Sequence, residues 1–354
     1  MRILIIGMGY AGNRYRRAFL QLRAESGPID IAYVSRTLKP HPEPGYTDLG
    51  LAMSEFAPHL VVVTVNDVHR AQVLADLASY QGVIVCEKPL VTAEDDLEAV
   101  VDRFGDRDDF FVAQIERYSH AARDLKAFVR TNGLRVVRGS FFWAKNRIGD
   151  PRPTSGVISE IIHPIDLLQW MVTDGRGTLG EVSSQVIRSD FSISGDTVID
   201  TALVTGRIGE VPISGFSSFV GLERMRSIQL VLSDDTPSLI YATATFDSPV
   251  WDADHAHVWT LTERGEQNEV LRQNYPPEEK SETTGLRKQI LLCRDLLARL
   301  QDPAHRPDLP GITEALRTQG VLNDLARGTG PTTRYFIDTE RFRLASDASA
   351  EVLG

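Results

Sequence analysis

The stretch Arg2-Ile3-Leu4-Ile5-Ile6-Gly7-Met8-Gly9-Tyr10-Ala11-Gly12 decides the fold. A short apolar run closed by glycines reads as a buried parallel strand feeding a tight turn. Beyond the turn, Tyr15, Ala18, Phe19 and Leu22 recur at the spacing of one helix face. The glycines therefore stand between a strand and a helix, the setting that gives G-x-G-x-x-G its meaning. Gly7 permits the turn, Gly9 lets backbone approach a pyrophosphate, and Gly12 lets helix pack on strand. Tyr10 and Ala11 head the helix, whose unpaired N–H groups suit phosphate.

The alternation continues. Further strands are expected over 29–34, 60–65, 83–86 and 110–114, with helices over 68–79 and after Thr92. In the latter helix Leu97, Val100, Val101 and Phe104 read as the buried face, and Thr92 with Asp95 reads as its cap. This predicts an α/β Rossmann domain over residues 1–117, a parallel sheet with right-handed crossovers. From Ser119 the texture changes. A helix carrying Ala122, Leu125, Phe128 and Val129 precedes a strand over 134–142, a Pro- and Arg-rich loop over 147–153 and an apolar helix over 157–172. Strands then follow one another near 181–190, 198–206, 211–219, 227–233, 238–246 and 256–261, the pattern of a mostly antiparallel sheet. Two amphipathic helices, 284–300 and 312–325, close the pattern, and they can pack back on the first domain. The expected second domain, 118–345, is α+β with a large open sheet, and 346–354 reads as a flexible tail.

Composition narrows the function. The chain has 354 residues, 42% hydrophobic and 24% charged, which is room for two cores in an ordinary globular protein. No apolar stretch approaches the ~20 residues that span a bilayer. Met1 passes straight into a strand without a cationic, apolar leader, and the only cysteines are Cys86 and Cys293. A cytoplasmic protein without a disulfide framework is the expectation. A net charge of −10 with no basic run argues against a nucleic-acid partner.

Where a dinucleotide-binding domain that takes NAD usually places an acidic residue on the adenine ribose, this chain has Ser35-Arg36-Thr37. No carboxylate repels a 2′-phosphate there, and Arg36 offers a charged donor fork, so NADP(H) is expected over NAD(H). Ligands in such sheets lie beyond the carboxyl ends of the strands. Glu87-Lys88-Pro89 ends the fourth strand, placing an ammonium that can polarise a carbonyl and stabilise a developing alkoxide. Pro89 is expected to restrict the turn, with a cis bond as one option. Glu87 can bond the cofactor or tune the lysine. Thr64-Val65-Asn66, with His69, follows the third strand, and Gln114-Ile115-Glu116-Arg117-Tyr118 follows the fifth.

These segments resemble the oxidoreductases related to glucose-fructose oxidoreductase and inositol dehydrogenase. Gly7 to Gly12, Thr64 to His69, Glu87-Lys88-Pro89, the Arg117 turn and the helix around His163 run in that family's order over the first ~170 residues. The resemblance implies NAD(P)-dependent oxidation or reduction of sugars, polyols and related compounds. It also implies a homodimer or homotetramer packed through the C-terminal sheet.

In the second domain, Glu160, His163 and Asp166 fall on one face of an otherwise apolar helix, whose Pro164 predicts a kink or interrupted start. His163 suits proton transfer near neutrality. The family pattern has an aspartate four residues before the histidine; this chain has Ser159 there and Glu160 next to it. Whether Glu160 orients His163 or His163 works alone with Lys88 stays open at this level. Asp166 reads as a structural acceptor. Trp143-Ala144-Lys145-Asn146-Arg147 offers an aromatic with flanking donors, which suits a sugar, and Arg147 with Arg152 could meet a carboxylate or phosphate. The Trp251-to-His257 run has no metal-ligand spacing, and no metal is expected.

The sequence thus points to an NADP(H)-dependent oxidoreductase acting on a keto or hydroxy carbon of a sugar or cyclitol, with Lys88, His163 and Glu160 catalytic. Lys88, Trp143, Lys145, Arg147 and His163 are expected to meet the substrate. The rivals are an imine reductase or amine dehydrogenase on the same fold, and a non-catalytic NADP-binding sensor.

Overall fold

The computed structural model describes residues 1–148, 150, 154–192, 197–236, 238–277 and 283–335. Arg152 and the expected tail lie outside the described residues. The first elements are β1 (Arg2–Ile6), α1 (Tyr10–Ser26), β2 (Asp30–Val34), β3 (Gly45–Tyr46), α2 (Leu49–Phe56), β4 (Leu60–Val63), α3 (Arg70–Asp76), β5 (Val83–Glu87), α4 (Leu97–Phe104) and β6 (Phe110–Ala113). Then follow α5 (His120–Thr131), β7 (Arg135–Asn146), α6 (Ile158–Thr173), β8 (Leu179–Ser189), β9 (Val198–Ile208), β10 (Val211–Ser218) and β11 (Val220–Ser233). The chain continues through β12 (Ile240–Thr245), β13 (Asp254–Leu261), β14 (Gln267–Tyr275), α7 (Arg287–Gln301), α8 (Ile312–Ala326) and β15 (Thr332–Thr333). It divides into two compact units, Met1–Tyr118 with Glu278–Gln319, and Ser119–Pro277 with Gly320–Gly354.

The first unit is built on a parallel sheet in the order β3-β2-β1-β4-β5-β6, the Rossmann arrangement. Its central strands are Ile, Leu and Val runs buried on both sides, so both faces need helices. On one face Ile3 and Ile5 pack with Tyr15, Phe19 and Leu22 of α1 and with Leu292, Cys293, Leu296 and Leu297 of α7. On the other, Leu4, Ile6, Val61 and Val63 pack with Ala52, Leu74, Val100, Phe104 and Ile312.

Three local expectations change. The segment expected as a helix from Val68 is a single 3-10 turn, Asp67–His69, before α3. The cap of α4 is Asp96, whose carboxylate accepts from the Ala99 N–H at 3.2 Å. Thr92 instead donates from both N–H and hydroxyl to Asp95, each at 2.8 Å, a closed turn ahead of the helix. Val100 and Phe104 form the buried face of α4, and Val101, one position past Val100, is 44% exposed.

The second unit carries the sheet β14-β13-β12-β11-β7-β10-β9-β8-β15. The pairs β7–β10 and β8–β15 are parallel and the others antiparallel, so the sheet is mixed. Phe141, Trp143, Ile228, Ala244 and Val258 join Leu125 of α5, Leu168 of α6 and Leu322 of α8 in one core. Their strand neighbours face the other way, where Phe142 and Phe216 stack at 4.8 Å beside exposed Leu203. Helix α6 runs through Pro164 without the expected interruption, because burial along nearly its whole length outweighs the missing N–H. Among the described residues no helix is long and apolar enough to cross a membrane.

Candidate functional site

In the first unit the glycine loop has the geometry that the pattern demands. Gly7 adopts φ +99°, and a Cβ there would lie 2.8 Å from the Val65 amide nitrogen. A Cβ on Gly12 would lie 2.1 Å from the Gly7 carbonyl oxygen, so any side chain would force the loop off the helix. Gly9 has nothing within 4 Å of its Cβ position, and as N-cap of α1 it supplies no side chain to the first amides. Tyr10 and Ala11 head α1, with the Tyr10 ring 59% exposed. The loop is an open cradle of backbone at a helix N-terminus, which fits a pyrophosphate.

The ends of neighbouring strands close on this cradle. Thr64, after β4, donates its hydroxyl to the carbonyls of Ile6 (3.1 Å) and Gly7 (2.5 Å). Asn66 is taken up locally, accepting the Val68 amide at 3.2 Å, and His69 is exposed. After β2, Ser35 donates its amide to Tyr46, and Arg36 and Thr37 are exposed. After β5, Glu87 accepts the Lys88 amide at 3.3 Å, and the Lys88–Pro89 bond is cis. Gln114, after β6, is buried, and its Oε1 accepts no hydrogen bond among the described residues. Burial pushes the Cys86 thiol up to about 12 and the Cys293 thiol higher still, so neither supplies a thiolate. The Tyr15 phenol is also held well above its ordinary range, by burial first and the Glu87 charge second.

In the second unit Glu160 is the centre of a buried charge cluster. Its Oε1 accepts from Arg226 at 2.6 Å and from the Trp143 indole at 3.3 Å, and its Oε2 pairs with Lys145 at 2.9 Å. Arg226 also donates to Asp247 at 2.8 Å and stands over the Trp143 ring at 5.5 Å. The His163 imidazole stacks on Trp143, centroids 5.9 Å apart and planes 30° apart. Trp143 thus links the carboxylate to the imidazole. With 1% exposure and a ring covered by His163, Phe246 and Arg226, it offers no face for a sugar to stack on, contrary to the sequence expectation. Ser159 donates to the Gly156 carbonyl at 2.8 Å, a local bond of the helix start. Arg147 pairs with Asp150 at 3.0 Å and lies over Phe219, so its charge is already met. Arg226 and Asp247 went unnoticed in the sequence because they lie 66 and 87 positions from Glu160, Arg226 on β11 and Asp247 in the loop after β12. Among the described residues no group of three or more His, Cys, Asp or Glu side chains could hold a metal ion.

No family model matches the chain, and no curated protein matches it. Solved structures do. A 3-ketoreductase from Actinomadura kijaniata, in complex with NADP and TDP-benzene, is 11% identical, with TM-score 0.68 over 95% of this chain and 99% of that one. UDP-N-acetylglucosamine 3-dehydrogenase from Acidithiobacillus ferrooxidans is 14% identical, with TM-score 0.64 over 92% and 96%. The transcriptional regulator Gal80p from Kluyveromyces lactis is 14% identical, with TM-score 0.67 over 92% and 91%. The chain therefore has the fold expected from its resemblance to glucose-fructose oxidoreductase and inositol dehydrogenase.

Proposed function

We propose that the chain is an NADP(H)-dependent oxidoreductase that interconverts a keto and a hydroxy carbon on a sugar, cyclitol or related polyhydroxy compound. The observation that carries this reading is the convergence at the carboxyl ends of β1, β4 and β5. Beside an open glycine cradle with Thr64 bonded into it stands the Lys88 turn, which Arg70 links to that segment by donating to the Val65 and Pro89 carbonyls. Bound NADP(H) would supply the hydride in one direction and accept it in the other. Gly7, Gly9 and Gly12 with Tyr10 and Ala11 hold the pyrophosphate on this reading. Ser35, Arg36 and Thr37 meet the 2′-phosphate. Thr64, Val65, Asn66, His69, Glu87 and Gln114 line the nicotinamide side, where Gln114 keeps an unused acceptor.

The Lys88 ammonium polarises the substrate oxygen and stabilises its charge as the carbon is reduced. His163 gives that oxygen its proton, or removes it in the reverse direction. Glu160, tied to Arg226, Lys145 and Trp143, acts on His163 by fixing the ring it stacks on. Lys145 and His163 meet the substrate. The apolar row of exposed Leu203 and Phe142 with half-buried Phe216 supports assembly into a homodimer or homotetramer through the second unit's sheet.

Lys88→Ala should lower turnover of a keto sugar by ~100-fold or more and leave NADPH affinity within about threefold. Undiminished turnover would remove Lys88 from the mechanism. The sensor reading has one supporting feature, the departure at Ser159, and a regulator shares the fold. Tight NADPH binding without turnover across a carbonyl panel would establish it. For the imine and amine reading, Arg147 is paired with Asp150, and Arg152, its other carboxylate anchor, lies outside the described residues.

A further inference from the structure

Arg70 opens α3, one residue past the Thr64-to-His69 segment, and only 4% of it is exposed. Its guanidinium donates to two loop carbonyls, while its Nε has no partner among the described residues. Nη2 donates to Val65 at 2.9 Å, and Nη1 donates to Pro89. Val65 follows Thr64, the residue bonded to the glycine loop, and Pro89 follows Lys88. A permanently charged, planar fork buried between two carbonyls is a rigid strut. Downstream, Leu90 and Val91 are buried in the core and the Val91 N–H donates to Gln319 at 3.3 Å, so the bond from Arg70 to the Pro89 carbonyl is the tie nearest Lys88 itself.

We propose that Arg70 is a positioning residue for Lys88: its guanidinium bolts the lysine turn to the segment that braces the glycine loop. This rests on the catalytic reading of Lys88. Arg70 never touches the reacting atoms; it sets where the Lys88 ammonium stands when the cofactor is held.

The chain contains a matched control. Arg107 donates in the same way to two carbonyls, those of Gly82 (2.7 Å) and Tyr80, ahead of β5 at the far end of the same strand. Arg70→Met and Arg107→Met therefore remove equivalent bonds at opposite ends of the sheet. Two readouts apply to each: steady-state kinetics with NADPH and a keto sugar, and the rate of Lys88 reductive methylation against pH, followed by mass spectrometry without cofactor. Arg70→Met should lower kcat by ~100-fold, the scale of an ångström's misplacement. It should leave NADPH affinity within about threefold and change the methylation profile of Lys88. Millimolar guanidinium should restore part of both, and Arg70→Lys should fall between. Arg107→Met should lower the melting temperature and move neither readout. Equal effects of the two substitutions, or an unchanged Lys88 profile in Arg70→Met, would overturn the proposal. If the wild type shows no turnover, the catalytic reading fails, and the methylation profile alone still judges the strut.

Discussion

Arg226 joins two buried carboxylates of the second unit, and replacing it with Met is a severe test of the charge cluster. The guanidinium is 3% exposed and bonds two carboxylates, Glu160 at 2.6 Å and Asp247 at 2.8 Å. Removing one partner of a buried pair typically costs about 3–5 kcal/mol, because the remaining charge stays buried and uncompensated. Here the low end applies. Glu160 keeps Lys145 and the Trp143 indole, and Asp247 keeps the Asp252 amide at 2.9 Å. Arg226→Met should therefore destabilise the unit by about 3 kcal/mol, roughly a hundredfold in its unfolding equilibrium. The assay is favourable. All four tryptophans, Trp143, Trp170, Trp251 and Trp259, belong to Ser119–Pro277, so tryptophan fluorescence in a urea titration reads that unit alone. Asp247→Asn added to Arg226→Met should cost much less than Asp247→Asn added to the wild type. A loss under about 1 kcal/mol, or strictly additive effects of the two substitutions, would refute the account of a mutually dependent cluster.

On the proposed function NADPH should raise the melting temperature of the wild type but not of Gly12→Ala, since the new methyl must displace the Gly7 carbonyl; equal shifts in both would show that the loop does not hold a dinucleotide. The second unit should also lose stability in acid through Asp174. A hydrogen bond from Lys126 first, and the charges of Lys126, Arg130 and Arg176 after it, hold its carboxyl below the ordinary range. A depressed pKa adds stability that is complete above the unfolded value of ~3.9 and fades as pH falls through the folded one. Lys126→Met should raise the Asp174 titration in a carboxyl NMR experiment and flatten the acid slope below about pH 4. Arg36→Ala should weaken NADPH binding by about tenfold or more while leaving NADH nearly unaffected, a comparison that fluorescence titration makes directly.

Much of this molecule is legible in order. The buried runs of β1, β4 and β5, and the face of α1, announce themselves because period and burial agree. Helix α2 does not: Ala52 is its only fully buried residue and Leu51 is 49% exposed, so no apolar face stands out. Strand β14 is exposed almost throughout and shows no alternation to read. The site divides the same way. Lys88, His163 and the glycine loop lie in compact motifs, whereas what surrounds Glu160 depends on contacts between distant strands. Trp143 misleads because spacing places it on a strand without telling which face the helix covers. Arg70 is hidden for a similar reason, since a lone arginine beginning a helix reads as solvated until its two carbonyls are seen.

The return of α7 to the first unit bears on how the protein is made. The chain leaves that unit at Tyr118 and comes back at Glu278, and α7 delivers Leu292, Cys293, Leu296 and Leu297 to one face of its sheet. On a ribosome adding about 5–20 residues each second, the first unit emerges with that face covered only by α1 and waits on the order of ten seconds or more for α7. Ribosome-bound chains halted before α7 should hold that apolar surface available to chaperones, and chains halted well beyond it should not.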